Sequence, residues 1–268
     1  MRIIRFNTQT GETLYGIATD ASLSSARVLS GAPWDGGTET GEFASVATLL
    51  APVVPVNILC IGLNYKRHAE ESGMAVPERP LLFIKATSTL LNPGDAIHLP
   101  SISDEVDYEC ELAIVIGKAA KHVSEADALD YVYGYTCCND VSARDWQLRL
   151  DKQWARGKSF DTFSPLGPSI VTTDEIPDPN ALAITTHING VLLQSSHTSD
   201  MIFNVRHIIS YLSQGMTLLP GTVILTGTPE GVGMGRKPQR WLKPGDICEI
   251  AIDGIGVLIN PVKDEVVL

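Results

Sequence analysis

The chain has no apolar run approaching the roughly 20 residues that a membrane-crossing helix needs. Its N-terminus, Met1-Arg2-Ile3-Ile4-Arg5-Phe6, lacks the long apolar stretch of a secretory signal. Cysteine is sparse, five residues with no CxxC spacing. Cys60, Cys110 and Cys248 sit among apolar residues and Cys137-Cys138 is a vicinal pair. A disulfide framework, a cysteine metal site and a thiol nucleophile are therefore not expected; reduced, buried thiols in a cytoplasmic protein are. Positive charge is in deficit, 20 Lys and Arg against 31 Asp and Glu, a formal net of −11. That balance argues against nucleic acid or an anionic membrane as partner, and an anionic substrate would need local compensation. There is no Gly-x-Ser-x-Gly elbow, no internal repeat and no regular βαβ alternation. What remains is an ordinary globular composition, 44% hydrophobic over 268 residues, enough for one large domain or a large one with a small one.

Residues 1–53 read as a small N-terminal module and 54–268 as the main domain, with Pro52 and Pro55 marking the boundary. Arg2 to Phe6 and Thr13 to Thr19 look like paired strands, followed by a Gly/Thr-rich loop and a short helix over Phe43 to Leu50. Beyond Asn57 the pattern is mostly β. Ala183 to Ile188 and Val191 to Gln194 flank Asn189-Gly190, a strong hairpin signal, and Asp253-Gly254 repeats the device. Asn204 is placed to cap a helix with Val205, Ile208, Ile209 and Leu212 on one face; Ser124 is placed to cap another, Glu125 to Tyr133. The expected architecture is β-rich α+β, with helices covering a twisted, antiparallel-rich sheet system.

The segment Asp107-Tyr108-Glu109-Cys110-Glu111-Leu112-Ala113-Ile114-Val115-Ile116 puts acids inside an apparent buried strand. Side chains alternate along a strand, so Glu109 and Glu111 share a face with Asp107, while Cys110, Leu112 and Ile114 face a core. Two carboxylates about 5–7 Å apart repel by a few kcal/mol at an effective dielectric of about 20. Either the face is wet, as on an edge strand, or a cation sits there; all-oxygen ligands favour Mg²⁺, Mn²⁺ or Ca²⁺.

Four further clusters carry chemistry or a bland alternative. In Asn64 to Gly73, a short helix capped by Asn64 would set His68 and Glu71 on one face, a carboxylate-oriented base or a casual surface pair. In Cys137 to Gln147, Asp140 is a third oxygen ligand or a helix cap, and Arg144 suits a substrate carboxylate. Lys158, between Gly157 and Phe160, is an oxyanion partner or an exposed lysine. Leu225 to Gly235 follows a strand, but Pro229 and Pro238 interrupt it and that segment has no Gly-Lys-Ser/Thr, so it is not a nucleotide loop. Its Thr and Gly amides and hydroxyls suit a carboxylate. His98, His122, His187, His197 and His207 lack ligand spacing.

At these residues the chain resembles the fumarylacetoacetate hydrolase family, through "GLNYKRHAEE", "DYECELAIVIGK", "NDVSARDWQ", "GKSFDTFSPLGP", "NGVLLQSSHTSDMIF" and "LTGTPEGVG", in order from Ile58 to Val262. "DVSARDWQ" and "GKSFDTFSPLGP" together look like its domain-containing protein 2 branch. The resemblance implies a mixed β-sandwich roll with covering helices, a small N-terminal α/β module, and a homodimer. It implies Glu109, Glu111 and Asp140 as ligands of Mg²⁺ or Mn²⁺ (Ca²⁺ also being compatible), and a His68–Glu71 dyad on a mobile lid. Lys158 would meet the substrate near the metal; Arg144, Gln147, Gly227 and Thr228 would bind it. Members of this family act on small 2-oxo acids through an enolate stabilised by the metal. The activity expected first is hydrolysis of a C–C bond in an acylpyruvate of aromatic catabolism. The alternative is an isomerase, tautomerase or decarboxylase of 2-oxo diacids, oxaloacetate keto–enol tautomerisation and 2-hydroxyhepta-2,4-diene-1,7-dioate isomerisation included. A catalytically silent relative would be expected to have lost His68 or Glu71, and both are present. Specificity is expected to lie in Met74 to Arg79 and Gly235 to Trp241.

Overall fold

The computed structural model describes residues 1–266. In chain order its strands are β1 (Arg2–Asn7), β2 (Thr13–Ala18), β3 (Ser25–Leu29), β4 (Glu39–Ser45), β5 (Thr48–Leu50), β6 (Ile58–Gly62), β7 (Leu81–Lys85), β8 (Leu90–Leu91), β9 (Ile97–Leu99) and β10 (Val106–Asp107). They continue with β11 (Cys110–Ile116), β12 (Val132–Asn139), β13 (Ser142–Ala143), β14 (Ser164–Thr172), β15 (Ala183–Ile188), β16 (Val191–His197), β17 (Val223–Leu225), β18 (Ile247–Ile252) and β19 (Gly256–Asp264). The α-helices are α1 (Lys66–Glu71), α2 (Trp154–Lys158) and α3 (Val205–Gly215).

One large sheet runs β4-β3-β2-β1-β14-β12-β11-β17-β6-β7, and a second runs β16-β15-β18-β19-β9. Apolar residues from both sheets meet in one core: Leu112 and Ile114 of β11 and Tyr135 of β12 from the large sheet, Ile184 and Ile250 from the second. Helix α3 closes that core with Val205, Ile208, Ile209 and Leu212, as its periodicity predicts. Its cap is also as predicted, Asn204 accepting from the His207 amide at 2.9 Å. The Asn189-Gly190 hairpin forms with both turn residues at positive φ, 54° and 75°.

Four expectations fail. Phe43 to Leu50 is not helical: Ala44 pairs with Ala26 of β3 and Leu49 with Phe6 of β1, so open strand edges win over a short amphipathic pattern. The helix expected from Ser124 is one turn, Ala128–Tyr131; from Val132 the β-branched and aromatic residues extend as β12 against β11. Asn64 caps nothing. Its side chain bonds Phe203 O, Thr226 O and the Phe203 amide, fastening the start of the α1 segment to the core. At Asp253-Gly254 the turn takes in Ile255 as well, so β18 and β19 join through three residues.

Candidate active site

Strand β11 presents its N-terminal end beside the C-terminal end of β12, Cys110 opposite Asn139. Two bonds lock that junction: the Glu109 amide donates to Asn139 Oδ1 at 2.9 Å and the Asp140 amide to Glu109 O at 2.8 Å. Alternation then turns Cys110 and Leu112 into the core and Glu109 and Glu111 into a cleft, where Asp140 joins them. One carboxylate oxygen from each lies within 4.8 Å of the others, and all three residues are buried. The face is therefore neither wet nor an edge. Asp107 shares the parity but lies outside the triad, on β10, and accepts from Arg144 Nε at 2.9 Å and the Gly233 and Met234 amides at 2.7 and 3.0 Å.

Three buried cations face the acids. Lys158 Nζ donates to Glu109 Oε2 and Asp140 Oδ2, both at 2.6 Å. Lys85 Nζ donates to the other oxygen of Asp140, Oδ1, at 2.5 Å. Arg144 Nη2 lies 2.6 Å from Glu109 Oε1, close in charge but without hydrogen-bond direction. Burial pushes the Glu109 carboxyl up, but Arg144 and Lys158 outweigh it and hold it at about 2. Glu111 differs. It has no ion pair among the described residues, and its one donor is the Gly227 amide at 2.7 Å. Burial, then the charges of Asp140 and Glu109, push it well above the carboxylate range. A buried carboxylate without a cation, beside two that have them, lacks a positive charge, and a hard divalent ion fits three such oxygens. Asp107 is pushed up by burial, yet four donors and no acceptor converge on it, which only the ionised form satisfies.

The dyad forms on α1. His68 Nδ1 is 3.3 Å from Glu71 Oε2, leaving Nε2 as the free ring nitrogen. Glu71 is fixed from the opposite side by the Gly231 amide at 3.0 and 3.2 Å. The loop after β17 thus holds the acid triad through Gly227 and the dyad through Gly231. His68, Lys158, Arg144, Gln147, Gly227 and Thr228 line the same cleft as the acid triad. Two expected substrate contacts are already engaged. The Gly227 amide binds Glu111, and the Thr228 hydroxyl donates to Cys110 O at 3.0 Å and accepts from Gln194. Gln147 accepts from Arg144 Nη1 at 2.9 Å. Sequence reasoning missed Lys85, Gln194 and the walls Phe83, Leu148 and Trp154; a lysine ending the apolar run Leu81–Ile84 was the one available signal.

Family profiles match residues 57–263, the fumarylacetoacetate (FAA) hydrolase C-terminal family, and residues 1–52, an Rv2993c-like N-terminal family. The chain is 50% identical over 219 residues to the rat (Rattus norvegicus) oxaloacetate tautomerase Fahd2a, mitochondrial, covering 81% of this chain and 70% of that one. It superposes on a 5-carboxymethyl-2-hydroxymuconate delta-isomerase from Mycobacterium smegmatis with a TM-score of 0.88 at 38% identity, covering 99% of this chain and 100% of the other. A fumarylpyruvate hydrolase from Pseudomonas aeruginosa, in complex with Mn²⁺ and pyruvate, matches with a TM-score of 0.72 at 32% identity over 82% and 93% of the two chains.

Proposed function

The chain belongs to the fumarylacetoacetate hydrolase family, and we propose that within it the protein is a divalent-metal-dependent tautomerase or isomerase of a small 2-oxo diacid such as oxaloacetate. The observation that carries the reading is the uncompensated Glu111 in a lysine-lined acid triad, in one cleft with an oriented histidine. The C–C hydrolysis expected first from the motifs gives way to its alternative. The rat oxaloacetate tautomerase matches at 50% identity, against 38% for the isomerase, 36% for a fumarylacetoacetate hydrolase from Exiguobacterium antarcticum and 32% for the fumarylpyruvate hydrolase.

Glu109, Glu111 and Asp140 would hold Mg²⁺ or Mn²⁺, which would supply Lewis-acid polarisation of the 2-oxo group. The chain's own residues do the rest. Lys158 has two of its three N–H bonds committed, so one remains for the developing oxyanion. Arg144 Nη2 is buried without a directed partner and takes the substrate carboxylate. His68, steadied by Glu71, carries the proton between the enol oxygen and the neighbouring carbon, a balanced transfer with no co-reactant. Were all four carboxylates ionised, three cations would leave the site one negative charge; a divalent ion, which favours the ionised form of Glu111, reverses the sign and suits an anionic substrate.

The exposed apolar residues Leu81, Leu82 and Ile84 lie on the edge strand β7 beside an apolar groove of about 800 Å³, a surface that a second copy would cover in a homodimer. The five cysteines are free and buried, which suits a reducing compartment, the cytoplasm or, as in the rat relative's name, the mitochondrion. No helix of the described residues is long and apolar enough to cross a membrane.

The test follows enol-oxaloacetate by its ultraviolet absorbance with Mg²⁺ and with a chelator, and assays pyruvate from acetylpyruvate in parallel. Metal-dependent loss of the enol without pyruvate release supports the reading. Rapid metal-dependent pyruvate release restores hydrolysis as the activity.

A further inference from the structure

Two buried lysines converge on one carboxylate, and their surroundings differ. Lys85 is 1% exposed, ends β7, and bonds three acceptors: Asp140 Oδ1 at 2.5 Å, Phe163 O at 2.7 Å and Val141 O at 3.3 Å. An ammonium has three N–H groups, so Lys85 has none left. Lys158 bonds two acceptors, both carboxylates, and borders the cleft; Lys85 does not border it.

We propose that Lys85 is a positioning residue: it pins Asp140 Oδ1 against the backbone of residues 141 and 163, so that Asp140 offers only its other oxygen to a divalent ion. A carboxylate fixed at one oxygen binds an ion through the other without paying the ordering cost at the moment of binding. The division of labour follows from the bonds. Lys158 is the lysine that responds to substrate; Lys85 responds to the ion and reaches substrate only through Asp140. The inference rests on the triad being a metal site, and the test separates the two.

Mn²⁺ binding is measured by calorimetry on the unaltered protein and on Lys85→Met, which keeps length and loses charge. If the unaltered protein binds no Mn²⁺, the metal reading itself fails. If it binds, Lys85→Met is expected to bind at least about tenfold more weakly. Unchanged binding overturns the inference. Tighter binding overturns it too, because it shows Lys85 acting only as a repelling charge. Should Lys85→Met not fold, the ammonium proton–nitrogen NMR spectrum of the unaltered protein decides. A slowly exchanging Lys85 signal that moves with Mg²⁺ and stays put when oxalate follows, while that of Lys158 moves, supports the assignment. A Lys85 signal lost to exchange, or one that moves with oxalate, overturns it.

Discussion

Replacing Glu71 by Gln tests the dyad with the least disturbance. The change keeps the side-chain length and one oxygen for the Gly231 amide, which sits 3.0 and 3.2 Å from the two carboxylate oxygens. What disappears is the negative charge 3.3 Å from His68 Nδ1. At an effective dielectric of about 20, that charge attracts a protonated imidazole by roughly 5 kcal/mol. The Glu71 side chain is 20% exposed and that of His68 9%, so water screens part of the attraction and about 3 kcal/mol survives. In rate that is roughly 10²-fold. The amide can also donate to Nδ1 and leave Nε2 as the wrong tautomer, which adds to the loss. The loss belongs in kcat, because the charge matters most when His68 holds the proton; KM depends on Arg144 and Lys158, which Glu71 does not touch. The assay is the decay of enol-oxaloacetate absorbance at saturating Mg²⁺. A kcat within about threefold of the unaltered enzyme refutes the dyad as the proton carrier.

Chelation is expected to abolish activity and Mg²⁺ or Mn²⁺ to restore it. An ion at about 100 times its Kd adds roughly 2.7 kcal/mol, so the melting temperature rises by about 5 °C or more. Glu111→Gln abolishes that rise while leaving the metal-free melting temperature within about 2 °C, since the carboxyl it replaces is already pushed toward its neutral form; a full metal-induced rise in the variant excludes Glu111 as a ligand. Asp107→Asn frees Arg144 Nε and weakens the hold on the Gly233 and Met234 amides, so KM rises more than kcat falls and stability drops by about 2–3 kcal/mol in urea unfolding. An unchanged KM excludes Asp107 as the support of Arg144. Gly235→Ala would set a Cβ 2.5 Å from Glu71 Oε1, displacing that side chain from His68; kcat falls by about the Glu71→Gln factor without loss of melting temperature. Normal kcat shows that Glu71 needs no fixed place.

The residues whose chemistry is local were readable in the chain. Alternation alone set Glu109 and Glu111 on one face, and a three-residue helical spacing set His68 beside Glu71. Asn204 and Asn189-Gly190 gave a cap and a hairpin, because each acts within four residues of itself. Contacts over longer separations were hidden. Lys85 is 55 residues from Asp140 in sequence, and nothing in Leu81–Lys85 signals which strand end it will meet. Gly227 and Gly231 act through backbone amides, which carry no residue signature, so the loop read as a substrate cradle proved to hold Glu111 and Glu71. Phe43 to Leu50 misled for the related reason that a helix pattern says nothing of the strand edges β1 and β3 waiting beside it.

The acid triad, Lys158 and the dyad prescribe a charge to stabilise and a proton to move; they do not by themselves prescribe whether a C–C bond breaks. Hydrolysis needs a water beside the substrate, held by a polar group and aimed by the base. Away from the triad, His68, Arg144 and Lys158, the cleft wall has the apolar side chains of Met74, Phe83, Leu148, Trp154 and Met234 and the polar ones of Ser72, Gln147 and Thr228. Gln147 accepts from Arg144 through its oxygen and the Thr228 hydroxyl bonds Cys110 O and Gln194, so Ser72 and the Gln147 side-chain nitrogen are where a hydrolytic water would be held. Under the proposed reading the bound substrate displaces that water and leaves His68 facing carbon. Under the tautomerase proposal the proton that His68 takes from one substrate atom goes to the neighbouring one, and no bond between carbons breaks.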